Sequence, residues 1–560
     1  MSVTPTPELR KEWYEAQPER RAWELAEFAA RDLPAEDYLC SNGRLAIKTL
    51  LRFRGEDIEI RVVFPFDYPD VEPTVYGPED LLPRHQNRRS GNFCLLEEPS
   101  ADWWPGMAAA QLVDEDLRWL LEDSEAGQEA VATGEADMPE PLSQHIWADA
   151  GEIIVLPEPF WQLEVDASEG ELVLNEKHLG GHILASADGF GDSDKNLVDV
   201  FSASKPSPHR GRWSTLPNGV LSPWPTRDEV LAAAEAASPN LLQRLKRILA
   251  KERKRPNVEG WLGITFLEEG PRRGQQRRGW TFMRVRLRRD GSKEIVKVAR
   301  ALALTDTERK RRIPELAGLD EASVLVVGAG SVGAPIVLEL VKAGVGHIDL
   351  ADTDRYDVNN AVRHVLETRW AGREKTIGVA VEAEGLNPFV EIEPHRLTVG
   401  GGPKDSAKLD ALLVDTDIVV DATGSQVAAR VLQRRCREFD KPLVLASLTS
   451  GSFGGEVVVF RPDGPCYYCL ALGQADGSLP KPSEGPRSNT TPVGCSTPAF
   501  SGAGFDATAL ATLAARTIVR ISSKSAYPAL DHDYVVVNFR GEDPWREGQL
   551  KNHPGCPLCA

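Results

Sequence analysis

Ser323-Val-Leu-Val-Val327 runs directly into Gly328-Ala-Gly-Ser-Val-Gly333, and Ala334-Pro-Ile-Val-Leu-Glu-Leu-Val-Lys-Ala343 follows. A short apolar run, a G-x-G-x-x-G turn and an amphipathic segment, in that order, predict strand, tight turn and helix. Glycines let the backbone approach a phosphate, and the helix N-terminus favours its negative charge. The next apolar run, His347–Ala351, ends in Asp352-Thr-Asp354. An acid about 20 residues beyond such glycines suits ribose hydroxyls. On this evidence NAD, FAD and ATP all remain open.

Working outward, strands and helices alternate from Ala322 to the C-terminus, the pattern of a parallel α/β sheet. The whole chain has 560 residues, enough for three or four domains. It is 41% hydrophobic and 27% charged, which are globular values. Its net charge of -19 argues against nonspecific binding to nucleic acid or an anionic membrane. Met1–Arg10 is polar and contains prolines, and no long apolar run is uninterrupted, so a cytoplasmic protein without a membrane span is expected.

Asn360, Arg363 and Lys375 follow the acidic strand end. A dehydrogenase needs no such cations, because the turn holds its diphosphate. Attack on the α-phosphate of ATP does need them, to offset transition-state charge. With Gly328, Gly330, Gly333, Asp352 and Asp354, these residues resemble the ubiquitin-activating, ThiF/MoeB-like adenylating family over residues 305–560. The resemblance implies that Asp352, Asp354, Asn360, Arg363 and Lys375 bind ATP with Mg2+. It also implies a homodimer and a mobile arginine, for which Arg311 and Arg312 are both candidates. The family's metal-binding Asp has no counterpart, since Gly424 stands there in Asp421-Ala-Thr-Gly424. Asp421 then either substitutes as the ligand or only caps its strand.

Eight cysteines are too few for a disulfide scaffold. Cys466-Tyr-Tyr-Cys469 and Cys556-Pro-Leu-Cys559 form two C-x-x-C pairs, the donor set of a closed, structural Zn2+ site. Cys495 stands alone among small, polar and Pro residues in Thr491–Pro498, as a loop thiol would. In thioester-forming members of the family, a cysteine in this region receives the activated carboxyl group. Cys40 and Cys436 have no supporting context and are read as structural.

Toward the N-terminus, residues 8–30 read as an amphipathic helix, 44–51 and 57–64 as half-buried strands, and 112–123 as a helix. Phe64-Pro-Phe-Asp-Tyr-Pro-Asp-Val-Glu-Pro73, His85-Gln-Asn87, Cys94 and Trp103-Trp-Pro105 resemble the ubiquitin-conjugating fold over residues 8–130. The resemblance implies a catalytic Cys94 and an Asn87 that polarises a thioester carbonyl. Gln86 replaces the family's Pro, and Asn87 lies one residue closer to the cysteine than usual. Residues 146–304 carry no chemical motif and read as a mixed spacer domain. Strands are expected at Phe160–Val165, Thr281–Leu287 and Glu294–Val298, with one helix over Arg227–Leu249.

The expected organisation is therefore α/β and α+β: a conjugating-like domain (1–145), a spacer (146–304) and a Rossmann-like adenylating domain (305–560). The expected function is ATP-dependent activation of a partner protein's C-terminal carboxylate. Thioester formation on Cys495, transfer to Cys94 and conjugation to a target amine follow. Similar fusions occur beside bacterial ubiquitin-like proteins and in anti-phage CBASS operons, where a cGAS-like nucleotidyltransferase is conjugated. A sulfur-carrier adenylyltransferase, an NAD-dependent oxidoreductase and a noncatalytic scaffold are the competing readings.

Overall fold

The computed structural model describes residues 11–87, 90–96, 99–126, 139–161, 168–179, 182–188, 207–221, 224–252, 258–288, 290, 292–486, 501–522, 524–541 and 543–559. They form two compact units, the first ending at Ala303 and the second beginning at Leu304.

In the first unit, the single helix expected over residues 8–30 is, among the described residues, two, Trp13–Ala16 and Pro18–Ala30, broken at Gln17 and the second started by proline in its first turn. A four-stranded antiparallel sheet follows, from β1 (Ala35–Leu39), β2 (Leu45–Phe53), β3 (Glu56–Val63) and β4 (Thr74–Tyr76). Period-two alternation turns Leu45, Ile47, Leu51, Ile60 and Val62 onto a core shared with Phe28. The expected helix over 112–123 is a π turn at Leu112–Asp116 continued by helix Leu117–Ala126.

The expected mixed spacer is a closed barrel. Its strands are β5 (Ile153–Leu156), β6 (Glu169–Leu179), β7 (His182–Asp188), β8 (Ser207–Thr215), β9 (Val258–Glu269), β10 (Gln276–Leu287) and β11 (Lys293–Ala303). Closure leaves no unpaired edge. The single helix expected over Arg227–Leu249 is two, Arg227–Ala237 and Leu241–Glu252. Pro239 removes an N–H, and Asn240 adopts φ +68, which breaks the helix between them. The strand expected at Phe160–Val165 is also corrected. Phe160 and Trp161 lie in a 3-10 turn (Glu158–Trp161), where Pro157 and Pro159 supply no donors. Residues 162–165 fall outside the described residues.

The second unit is built on an eight-stranded sheet: β12 (Ser323–Val327), β13 (His347–Ala351), β14 (Glu391–His395), β15 (Ile418–Asp421), β16 (Leu443–Leu448), β17 (Gly454–Phe460), β18 (Tyr534–Asn538) and β19 (Trp545–Gly548). The spatial order is β14-β13-β12-β15-β16-β17-β18-β19. Pairing is parallel from β14 to β16 and antiparallel beyond. Both faces of the parallel part are covered. Val324 and Val326 pack with helices Gly333–Ala343, Lys375–Leu386 and Gly504–Ile521. Leu325 and Val327 pack with helices Pro403–Asp415 and Gln426–Glu438. The chain leaves β12 for β13 on one side and returns to β15 on the other. That reversal opens a crevice at the strands' C-terminal ends, where α/β proteins bind ligands.

Among the described residues, no helix is long and apolar enough to cross a membrane.

Candidate functional site

The three glycines of the turn have three different physical reasons. Gly328 has φ +102, and a Cβ there would stand 2.7 Å from the Ala422 carbonyl oxygen. A Cβ on Gly333 would stand 1.8 Å from the Gly328 oxygen. These two are required by the fold. A Cβ on Gly330 would meet nothing within 4 Å, yet Gly330 lines a cleft of ≈ 310 Å³. Bare backbone facing an open cradle fits a ligand that comes close to it. Helix Gly333–Ala343 begins beside it with no side chain capping its N-terminal N–H groups.

The strand ends furnish the charges. Asp352 accepts from the backbone N–H of Ala329 (2.7 Å), Thr353 (2.6 Å) and Asp354 (2.8 Å). It thereby fastens the glycine turn to the end of β13. Lys375, nearly buried at the start of its helix, donates to Asp354 Oδ2 at 2.8 Å. Both line the cleft with Asp352, and Thr398, Thr423 and Ser425 complete its polar wall.

Asn360 and Arg363 do not belong to that wall; they sit on and just after the 3-10 helix Val358–Val362. The sequence reading missed the residue that joins them to it, His364. Its Nε2 lies 2.8 Å from the Ala329 carbonyl oxygen, and its Nδ1 accepts from Leu366 N–H at 3.2 Å. A carbonyl needs a donor and an N–H needs an acceptor, so the neutral tautomer protonated on Nε2 satisfies both. Burial pushes the His364 pKa below its usual value, and the fields of Lys375, Asp352 and Arg363 all reach it. The only sequence signal for it was its adjacency to Arg363.

Asp421 is buried and outside the cleft wall, and its Oδ1 accepts from Thr423 N–H (3.0 Å) and Oγ1 (2.7 Å). Burial raises its pKa, and its Oδ2 has no hydrogen-bond partner among the described residues. It caps the end of its strand, with one carboxylate oxygen engaged by Thr423. Gly424 has φ +66, and a Cβ there would also meet nothing within 4 Å. Among the described residues, the carboxylates that line the cleft are Asp352 and Asp354. Arg311 and Arg312 are exposed beside Glu308, which pairs with Arg311, and neither lines the cleft within the chain.

Cys466, Cys469, Cys556 and Cys559 come together with all four sulfurs within 4.8 Å of one another. Cys466 Sγ lies 4.0 Å from Cys469 Sγ and 3.5 Å from Cys556 Sγ. Sulfurs about 2.3 Å from a tetrahedral zinc stand about 3.8 Å apart, and a disulfide is far shorter. The cluster is compatible with zinc. Arg437 donates to Cys559 Sγ at 3.7 Å.

In the first unit, Gln86 and Phe93 form an antiparallel bridge, flanked by bonds from Cys94 N–H to His85 O (2.8 Å) and from Asn87 N–H to Asn92 O (2.8 Å). Gln86 is buried, and His85 takes the left-handed φ of +57. Gln86 ties the loop by accepting from Leu82 N–H (2.9 Å) and donating to Pro78 O (2.6 Å). Cys94 is exposed. Nearby protein mass and then the Glu140 carboxylate push its thiol pKa up. Glu140 accepts from His85 N–H (3.1 Å) and lies 3.2 Å from His145 Nε2. Burial alone would raise the Glu140 pKa; the two histidines hold it below the usual range. Cys495 lies outside the described residues. Pro486, before that stretch, accepts from Ser450 Oγ at 2.9 Å; Gly504, after it, lies against Val362 and Arg363.

A crevice at a strand-order reversal, a glycine cradle and a lysine–carboxylate pair define a nucleotide-binding α/β domain. The ThiF family model matches residues 300–558. The sulfur carrier protein adenylyltransferase of Thermus thermophilus is 31% identical over 43% of this chain and 83% of that protein. The SAMP-activating enzyme E1 of Haloferax volcanii is 30% identical over 42% of this chain and 79% of that protein. The chain belongs to the ThiF family of adenylyltransferases. An uncharacterized protein of Sinorhizobium fredii, y4oA, is 26% identical over 97% of both chains.

Proposed function

We propose that the chain activates the C-terminal carboxylate of a small protein with ATP, captures it on Cys495, passes it to Cys94 and conjugates it to a target amine. The observation that carries this reading is the Gly330 cradle, bare of side chains and flanked by Asp352, Asp354 and Lys375. Gly328–Gly333 would hold the phosphates, Asp352 and Asp354 the ribose and the Mg2+ that accompanies ATP. Asn360, Arg363 and Lys375 would offset charge at the α-phosphate. The carboxylate oxygen attacks the α-phosphorus and pyrophosphate leaves. The Cys495 thiolate then attacks the acyl carbon and AMP leaves. Exchange with the Cys94 thiolate moves the acyl group, and the amine finally displaces Cys94 to form an amide.

The carboxylate donor is a ubiquitin-like protein or a cGAS-like nucleotidyltransferase. Support for a protein donor comes from relatives named for sulfur-carrier and SAMP activation. Val362 and Phe505 are exposed beside Gly504 and Arg363, an apolar landing for that partner. Exposed Arg311 and Arg312 suit a homodimer in which one of them serves a second copy's cleft. The four cysteines hold structural Zn2+. Activation of a sulfur carrier is the second reading, favoured by the Thermus relative; it gives Cys94 and its loop no role.

ATP–pyrophosphate exchange with candidate partners tests the first step. Arg363→Glu should abolish exchange. Cys94→Ala should leave exchange intact, carry a reductant-sensitive adduct only at Cys495, and make no stable conjugate. Conjugates formed by Cys94→Ala at wild-type rate would overturn the relay.

A further inference from the structure

We propose that the outer edge of the second unit's sheet holds a further metal site, for a divalent first-row cation, made by Asp349, Glu393 and His395 with His347 behind them. β13 and β14 run parallel with His347 opposite Glu391, Asp349 opposite Glu393 and Ala351 opposite His395. These residues are two apart along each strand, so they share one face. Parallel strands covered on both sides read apolar. The opposite face obeys that rule, with Ile348, Leu350 and Ile392 in the core. On the same face one strand inward, Leu325 and Val327 are buried too. Asp421 on β15, opposite Val327, is also charged on this face, but at the edge His347, Asp349, Glu393 and His395 gather.

Among the described residues, the ionic partners of Asp349, Glu391 and Glu393 are His347 and His395 alone. Asp349 is nevertheless 9% exposed in its side chain. Buried carboxylate charge in that state is costly, and a bound dication offsets it.

The distances suit one cation. His395 Nε2 lies 2.5 Å from Asp349 Oδ1 and 3.9 Å from Glu393 Oε2. The three ligand atoms lie within 4.8 Å of one another. Donors about 2.0–2.2 Å from a metal stand about 2.9–3.5 Å apart, between those two values. His347 Nε2 donates to the other oxygen, Asp349 Oδ2, at 3.1 Å and fixes the carboxylate, as outer partners of metal ligands do. Glu393 is 57% exposed, so the site opens to solvent and leaves positions for water. One imidazole with two carboxylates suits zinc, manganese or iron better than magnesium. His395 precedes Leu397–Val399 in the cleft wall, so the cation would brace that edge.

The test is titration of the nucleotide-free protein, its cysteine site left loaded, with MnCl2 and separately with ZnCl2. Mn2+ binding is read by electron paramagnetic resonance, Zn2+ by calorimetry, and stability by thermal melt. One further equivalent and a raised Tm are expected. Glu393→Gln, at an exposed position where folding is not at stake, and His395→Gln should each weaken binding at least about tenfold. Asp354→Asn, in the nucleotide cleft, should leave it unchanged. No uptake beyond the cysteine site at millimolar metal overturns the proposal. So does uptake that Glu393→Gln leaves untouched, or that Asp354→Asn removes.

Discussion

Gly330→Ala separates a glycine kept for a ligand from one kept for the fold. Gly330 has no positive φ, and its added methyl would touch no protein atom within 4 Å. Alanine at a compatible glycine position typically stabilises by about 0.4–1 kcal/mol, by restricting the unfolded chain. For a unit of this size each kcal/mol moves Tm by about 2–4 °C, so Tm should stay or rise by up to about 4 °C. The methyl would, however, occupy the cradle where the phosphates would lie. Crowding by one methyl costs about 1–3 kcal/mol in a packed site. At about 1.4 kcal/mol per tenfold, ATP Kd should rise about 5- to 150-fold. Gly333→Ala is the contrast: its Cβ would lie 1.8 Å from the Gly328 oxygen, so it should lose stability outright. Calorimetric ATP titration beside thermal melts reads both. Wild-type ATP affinity in a fully folded Gly330→Ala protein would refute the cradle.

Four further outcomes follow from the geometry. Elemental analysis should find zinc retained by the wild type, and Cys556→Ser should lose that zinc and lower Tm, because structural zinc contributes folding free energy. His364 is held below its usual pKa, so the unfolded chain takes up more protons as pH falls below about 6.5; its stabilising effect, full above that pH, should decline beneath it, and ATP affinity with it, while His364→Gln should flatten that part of the profile. Glu140→Gln removes a charge that opposes the Cys94 thiolate, so alkylation at Cys94, mapped by mass spectrometry near pH 8, should quicken. Lys375→Glu places like charge against Asp354 and should abolish adenylation without unfolding the Gly328–Gly333 turn.

The sequence alone was enough for whatever depends on local periodicity and spacing. Ser323–Val327, the glycines and Gly333–Ala343 formed as read, because an apolar strand and an amphipathic helix each state their period within a few residues. The two C-x-x-C pairs met for the same reason: each pair presents two sulfurs locally, and four thiols suit a single ion. Composition said little about the barrel, because its strands pair across long separations, as β11 with β5 and β8 with β9. Nor could it tell which glycine serves packing and which serves a ligand, since that depends on what lies opposite, Ala422 for Gly328 and open space for Gly330. Asp421 reads in sequence as either a ligand or a strand cap, and the contacts of its oxygen with Thr423 came only from the fold. His364 and Glu140 acquired meaning only when tertiary contacts brought them to Ala329 and His85, residues 35 and 55 positions away. Local order is written in neighbouring residues, whereas burial, charge pairing and pKa are properties of what the folded chain brings into contact.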